Sequence, residues 1–179
     1  GDDGAALVML ARSPKEVAIL GAAGVSGNVW AAEAAGFARR ALEAAGLRGV
    51  PIASGAVDPL VRTAAMSDEA RRRWGDNGYH GAFDRKPVHD RAGLRGVELL
   101  IEAIDRHPGK VTLLALGPMT NVAIALRLRP DLETKIGRLV FMGGNVHVKG
   151  NVSDAAEFNF WFDPEAAAVV LRSAIREKV

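Results

Sequence analysis

The 179-residue sequence contains no cysteine, which excludes both a disulfide framework and a thiolate metal site. No apolar run approaches the roughly 20 residues of a membrane-spanning helix, and no signal peptide is visible. The formal net charge is only +2 and the basic residues are scattered, so the charge pattern does not favour binding to nucleic acid. The sequence therefore predicts a cytoplasmic protein with neither a nucleic acid nor a membrane as partner.

Three common motifs are also missing. Without GxGxxG or GxxxxGK[ST] there is no positive signal for nucleotide-phosphate binding, and the absence of GxSxG counts against a serine hydrolase of the α/β type. The one basic cluster, 71–73, fits a solvated helix end better than a nucleic-acid patch. With 49% hydrophobic and 25% charged residues, the composition is that of an ordinary globular protein. We expect one domain spanning 1–179.

Short apolar runs alternate with segments of helical spacing along the chain. Strands are predicted at 17–25, 50–56, 111–117 and 138–145, and helices at 3–12, 30–46, 58–72, 92–107 and 119–128. A last helix begins with Asp163 as N-cap and Pro164 at its first position. Uniformly apolar strands that alternate with helices are typical of an α/β fold. The expected fold is an open, mainly parallel, Rossmann-like sheet with helices on both faces.

Polar side chains gather where these strands end, which is where such folds bind ligands. They are carboxylates and amides, with hydroxyls secondary, and they suit a hard cation or a polyhydroxylated sugar. Each of these polar residues also has an interpretation that involves no ligand. Asp2 and Asp3 could cap the first helix, Asn28 could be an ordinary turn residue, and Asn121 could cap its own helix.

The stretch AEFNFWFDPEAA, 156–167, places Glu157 and Asn159 among four aromatic residues. The period of two in a β-strand would direct both polar side chains to one face, and would turn Phe158 and Phe160 into the core. We therefore predict an extended segment here that presents an acid and an amide to a ligand.

Residues 74–89 form a polar stretch without periodicity, and a loop of this length in a compact domain is often a binding element. Trp74 either anchors this loop in the core or offers its indole face for stacking. His80 and His89 are either surface residues or proton donors to a leaving group.

Taken together, these motifs resemble the inosine-uridine-preferring nucleoside hydrolase family. GDDGAAL is similar to the end of the family's DxDxGxDD cluster, and GVSGN to its asparagine turn. LALGPMTNVAIALR, LVFMGGN and GNVSDAAEFNFWFDPEAA are similar to three later segments, in family order and from residue 1 to about 172. The resemblance implies hydrolysis of the N-glycosidic bond of a ribonucleoside, giving ribose and a free base.

The resemblance also implies roles for individual residues. Calcium would be held by the Asp3 carboxylate and by the backbone carbonyl of Leu116. Ribose would be held by the polar residues at the strand ends, with Asp2 and Asn159 also acting in catalysis and with Met142 lying against the sugar. Trp74 would stack on the nucleobase if it does not anchor the loop. The ribose-binding residues implied in this way are Asp2, Asn28, Met142, Asn151, Glu157 and Asn159.

The chain departs from the family pattern at both ends. It begins without Met, and the family's first aspartates, including the general base, would precede Gly1. At the other end, the residues up to Val179 have the pattern of a helix, and the family's late histidine and aspartate would follow Val179. We therefore expect a domain that is incomplete at both ends, binds calcium poorly and lacks hydrolase activity on its own. When complete it would form a homodimer or homotetramer. The alternative function is a non-catalytic module that binds nucleosides or ribose.

Overall fold

A computed structural model describes residues 2–62 and 95–179, and the elements below are numbered over these ranges. The chain folds as an α/β structure. Its helices are α1 (Asp2–Ala11), α2 (Ala31–Ala44), α3 (Arg95–Arg106), α4 (Thr120–Leu128), α5 (Leu132–Lys135), α6 (Phe158–Phe162) and α7 (Pro164–Arg172). Its strands are β1 (Ala22–Gly24), β2 (Ile52–Ser54), β3 (Thr112–Ala115) and β4 (Arg138–Phe141). Within the described ranges, no helix is long and apolar enough to cross a membrane.

The strands pair in parallel, as the sequence predicts. β1 pairs with β2, where Ala23 lies opposite Ala53, and β3 pairs with β4, where Leu113 lies opposite Leu139. The last residues of the chain extend the second pair, because the Leu139 N–H donates to the Glu177 carbonyl at 2.9 Å and the Val179 N–H donates to the Leu139 carbonyl at 2.9 Å. The expectation of a helix running to Val179 is therefore wrong: α7 ends at Arg172, and the chain then lies beside β4.

Helices cover the strands. Both α2 and α3 pack on β1 and β2, while α4 packs between α3 and α7. The main apolar core lies among α3, α4, β4 and α7, and its most buried members include Ile104, Leu132, Leu139 and Val170. A smaller cluster around Trp30 lies at the start of α2. The predicted α/β fold is confirmed.

Several predicted elements are shorter or placed differently. The 17–25 strand is reduced to β1, because only its last residues find a partner strand, and Leu20 remains 37% exposed. Residues 58 and 60–62 form bends, so no helix starts at Asp58, and the rest of the predicted 58–72 helix lies outside the described residues. In α1 the two aspartates lie inside the first turn, not at the N-cap position, and Met9 is 71% exposed.

Helix α2 matches its prediction in extent and differs in orientation. It ends as expected before Gly46, whose positive φ of 89° allows the chain to leave the helix. The helical spacing in the sequence predicts Leu42 and Phe37 on one face, but Leu42 is buried and Phe37 is 47% exposed. The Phe37 ring instead lies under the Arg40 guanidinium, 4.5 Å from it, so a cation–π contact replaces core packing.

Candidate functional site

The segment that begins at Glu157 is a helix, which corrects the predicted extended segment. Glu157 has an extended backbone and caps α6, where its carboxylate accepts from the N–H groups of Asn159 at 2.9 Å and Phe160 at 3.2 Å. The first amides of a helix have no partner within the helix, so a side-chain acceptor at this position stabilises the helix. The alternation of polar and aromatic residues therefore reflects capping and not strand periodicity.

The Glu157 carboxylate also holds the turn that follows β4. Its second oxygen accepts from the Gly144 N–H at 2.9 Å, and the side chain is buried, with 6% of its surface exposed. Gly144 has φ of +76°, and its Cα lies against the Phe160 ring, so a larger residue would be strained and would meet the ring. One carboxylate thus joins the end of β4 to the start of α6.

Asn159 joins the carboxyl ends of β3 and β4. Its side-chain amide donates to the backbone carbonyl of Leu116 at 3.1 Å and to that of Met142 at 2.9 Å, with the Met142 Sδ also 3.1 Å away. Asn159 is buried at 8% exposure, whereas Met142 is 43% exposed. Both donors of the carboxamide are therefore engaged. Its Oδ1 accepts no hydrogen bond from any residue within 2–62 or 95–179.

Asn151 completes the same cluster. Its Oδ1 accepts from the Phe158 N–H at 2.8 Å, so the first three amides of α6 are held by Asn151 and Glu157. The structure therefore brings five of the predicted site residues into one hydrogen-bonded group, here called the strand-end cluster: Leu116, Met142, Asn151, Glu157 and Asn159. Their roles toward a ligand stay predictions.

Asn28 lies on a turn that adjoins this cluster. The turn approaches the start of α4 and α6, because a Cβ placed on Gly27 would lie 3.2 Å from Pro118 and 3.6 Å from the Phe158 ring. The Asn28 side chain is exposed.

Asp2 and Asp3 lie on α1, which packs against α2. In the described part of the chain, no hydrogen bond or ion pair joins either aspartate to the strand-end cluster. Although Asp3 is exposed, its pKa is raised, first because neighbouring protein atoms displace part of its hydration and second because Asp2 is negatively charged. A cation beside Asp3 would reverse this shift.

The residues fit a calcium ion in kind but not in number. The Asp3 carboxylate and the Leu116 carbonyl are oxygen donors, which calcium prefers, and the carbonyl keeps a second lone pair beside its bond to Asn159. No group of three or more His, Cys, Asp or Glu side chains suited to a metal occurs in 2–62 and 95–179. Calcium commonly takes about six to eight oxygens, so these two supply only part of a shell.

Two residues at the start of α4 make long-range hydrogen bonds that the sequence analysis did not predict. Asn121, interpreted as a possible helix cap, does not cap α4: its Nδ2 donates to the Gly24 carbonyl at 2.9 Å and its Oδ1 accepts from the Ala56 N–H at 2.7 Å. The Thr120 hydroxyl donates to Asp163 at 2.6 Å. The sequence signal that could have indicated these bonds is a hydroxyl and an amide, Thr120 and Asn121, shortly after a buried strand and outside a capping motif.

Asp163 caps α7 as predicted, by accepting from the Ala166 N–H at 2.9 Å, with Pro164 in the first turn. The same carboxylate also accepts from Thr120 and from the Leu60 N–H at 3.0 Å, and it is fully buried. It therefore holds three separate segments together beneath the strand ends.

A cleft of about 210 Å³ lies elsewhere, near Leu20, Pro51 and Leu99. Leu20 and Pro51 precede β1 and β2, so this cleft is at the amino ends of the strands, whereas the strand-end cluster is at the carboxyl ends. Its lining also includes Glu102, Arg106 and His107, so its position at the amino ends, and not its chemistry, separates it from the predicted sugar site. The predictions for Trp74, His80, His89 and the 71–73 cluster lie outside the described residues.

Comparison with known proteins identifies the family. The family model described as inosine-uridine preferring nucleoside hydrolase matches residues 1–179. A pyrimidine-specific ribonucleoside hydrolase, RihA of Citrobacter koseri, is 35% identical over 175 residues, covering 98% of this chain and 55% of the relative. Uridine nucleosidase 1 of Arabidopsis thaliana is 37% identical over 172 residues, covering 96% of this chain and 50% of the relative.

Solved structures show the same fold. A plant nucleoside hydrolase, PpNRh1, superposes with a TM-score of 0.79 at 30% identity, over 99% of this chain and 56% of that one. A purine-preferring ribonucleoside hydrolase from Gardnerella vaginalis superposes with a TM-score of 0.77 at 26% identity, over 98% and 55% of the respective chains. The chain thus spans about half the length of the curated relatives it matches. On its match over the whole chain, it belongs to the inosine-uridine preferring nucleoside hydrolase family.

Proposed function

We propose that the native protein carrying these residues hydrolyses the N-glycosidic bond of ribonucleosides to give ribose and a free base. The observation that carries this proposal is the buried Asn159 carboxamide, whose donors are fixed by the Leu116 and Met142 carbonyls. This fixes the orientation of Oδ1, which is left as an acceptor for a hydroxyl group. The names of the curated relatives and of the solved structures support the same reaction.

The other residues of the strand-end cluster supply further sugar contacts in this proposal. The two oxygens of Glu157 accept three backbone N–H groups, and a carboxylate has about four lone-pair sites, so one site remains for the ribose 5′ hydroxyl. Asn151 contacts the same hydroxyl, and Met142 lies against the sugar. Asn28, with an exposed side chain, contacts the 2′ and 3′ hydroxyl region together with Asn159, and Asp2 holds a ribose hydroxyl.

Cleavage of the glycosidic bond builds positive charge on the ribose ring. Nearby carboxylates stabilise that charge because they are fixed before the reaction begins, and Asp2 is the candidate in this chain. Multiple hydroxyl contacts, among them that of the buried Asn159, hold the reacting carbon in position. Calcium held in part by Asp3 and the Leu116 carbonyl would lower the pKa of a bound water molecule.

The base preference does not follow from the comparisons, because the relatives are named variously as pyrimidine-specific and purine-preferring. Assembly as a homodimer or homotetramer, a cytoplasmic location and the single domain over 1–179 stay predictions. So does the stacking of Trp74 on the base.

The reaction is tested by measuring ribose release from inosine, uridine, adenosine and cytidine with the native protein, with and without a calcium chelator. We expect release from at least one nucleoside, with loss on chelation and recovery when calcium is restored. Binding of nucleosides without ribose release would instead favour the non-catalytic binding module.

The isolated 179-residue chain is expected to bind calcium weakly, with a Kd above about 1 mM, because two oxygen donors provide only a fraction of a calcium shell. It is also expected to release no ribose. Isothermal titration of the chain with calcium measures the first property. Binding at micromolar calcium would show that the chain supplies more ligands than Asp3 and Leu116.

A further inference from the structure

We propose that Asn121 is a positioning residue that sets the turn carrying Asn28, and thereby the recognition of the ribose 2′ hydroxyl. This inference rests on the proposed function, because it concerns the same sugar site. Asn121 is the second residue of α4, the helix that follows β3 in the chain. Nothing in its position places it against a ligand, since its side chain is buried at 5% exposure and both ends of its carboxamide are engaged.

The Asn121 carboxamide joins β1 to the segment that follows β2. Its Nδ2 donates to the last carbonyl of β1, that of Gly24, and its Oδ1 accepts from the Ala56 N–H. These partners are 97 and 65 residues away in sequence, so the contact fixes tertiary geometry and not the local helix. Gly55 lies so close that a Cβ on it would overlap the Asn121 amide, which shows how tightly the side chain is enclosed.

The link continues from Ala56 to the turn that carries Asn28. The Ala56 carbonyl accepts from the Ser26 N–H at 3.1 Å, and the Gly55 N–H donates to the Gly24 carbonyl at 2.8 Å. Ser26 is buried at 2% exposure, and its hydroxyl oxygen accepts from the Ala31 N–H at 3.1 Å. The base of the turn is thus linked to Asn121 through one intervening residue, Ala56.

The turn itself is closed across Asn28, because the Gly27 N–H donates to the Val29 carbonyl at 3.0 Å. Asn28 is exposed, and its side chain makes no hydrogen bond with residues of 2–62 or 95–179. A contact residue of this kind depends on its backbone for placement, since no neighbouring side chain orients it. A displacement of about 1 Å at such a contact is enough to lose much of its effect on rate.

An asparagine is needed because the site presents one acceptor, the Gly24 carbonyl, and one donor, the Ala56 N–H. Asn121→Asp keeps the shape but puts a second oxygen against the Gly24 carbonyl, so one bond becomes a repulsion. Asn121→Ser keeps a donor and an acceptor on a side chain too short to reach both partners. Either change should release the turn while leaving Asn159 and Glu157 in place.

The test compares kcat/KM for a ribonucleoside and for its 2′-deoxy counterpart in the native protein. The ratio of the two values measures recognition of the 2′ hydroxyl. We expect Asn121→Asp and Asn28→Ala each to lower this ratio about tenfold. The double variant should add little, because both changes act on one contact. Thr120→Val is the matched control. It removes a buried hydrogen bond one residue away, to Asp163, and should leave the ratio unchanged.

The outcomes are distinguishable. An equal loss for both substrates in Asn121→Asp, with an unchanged ratio, would overturn the positioning role and leave the proposed function standing. If the native protein releases ribose from neither substrate, the proposed function fails. Hydrogen exchange then decides the inference: Asn121→Ser should speed exchange at the Ser26 and Ala56 amides about tenfold or more, but not at Ala123. Unchanged exchange at Ser26 would overturn the positioning role of Asn121. If Asn121→Asp does not fold, Asn121→Ser takes its place in the kinetic comparison.

Discussion

Replacing Asn159 with aspartate is expected to lower kcat/KM of the native protein for ribonucleosides by about a hundredfold or more. Asparagine and aspartate have the same shape, but a carboxylate has no N–H to donate to the Leu116 and Met142 carbonyls, which lie 3.1 and 2.9 Å from Nδ2. Three oxygens would then face one another in a buried position. The side chain would turn away, and the acceptor offered to ribose would lose its fixed direction.

The measurement is steady-state ribose release, with thermal unfolding of the same variants as a check on folding. Asn145→Asp is the matched control, because Asn145 is a half-buried asparagine whose Nδ2 donates only to the nearby Val148 carbonyl. The activity of this variant should change less than about twofold. Retention of full activity by Asn159→Asp would show that the reaction does not use this carboxamide.

Replacing Asp163 with alanine is expected to lower the free energy of unfolding by about 4 kcal/mol. Loss of the α7 cap contributes about 1 kcal/mol. The Leu60 N–H and the Thr120 hydroxyl would each lose a buried acceptor, which costs about 1 to 3 kcal/mol for each donor. Because the three partners come from different segments, the loss affects the whole fold and not the helix alone.

Urea unfolding of the protein measures this change. Asp163→Asn, which keeps one carbonyl oxygen as an acceptor, should lie between wild type and Asp163→Ala. Asp154→Ala removes an exposed carboxylate that pairs with Lys149, and should leave the urea midpoint almost unchanged. If Asp163→Ala behaved like Asp154→Ala, the buried network around Asp163 would not hold the fold together.

The fold follows largely from hydrophobic patterning. Runs such as 113–117 and 139–144 are apolar throughout, and a strand of this kind is stable only when both faces are covered. Parallel pairing and the position of the site at the carboxyl ends follow from that pattern. Strand lengths do not follow from the apolar pattern, because a strand ends where its partner strand ends. β1 has three residues, although the apolar run 17–25 has nine.

The sequence predicts that residues of the strand-end cluster lie together, but it does not predict their local structure. Glu157 and Asn159 were selected for their chemistry, yet the period of two misrepresented their geometry, because the carboxylate acts as a helix cap. The contacts of Asn121 could not be predicted from the sequence either. Its partners are Gly24 and Ala56, and no local pattern specifies bonds across 97 and 65 residues. Long-range polar contacts depend on the assembled fold.

The most direct test of the ribose site is a crystal structure of the native protein with a slowly hydrolysed ribonucleoside analogue. We predict that a ribose hydroxyl lies within hydrogen-bond distance of Asn159 Oδ1, while Asn159 Nδ2 keeps its bonds to the Leu116 and Met142 carbonyls. Glu157 should accept a further hydroxyl while retaining its bond to Gly144. An analogue bound elsewhere, with Asn159 and Glu157 left without a sugar contact, would contradict the account.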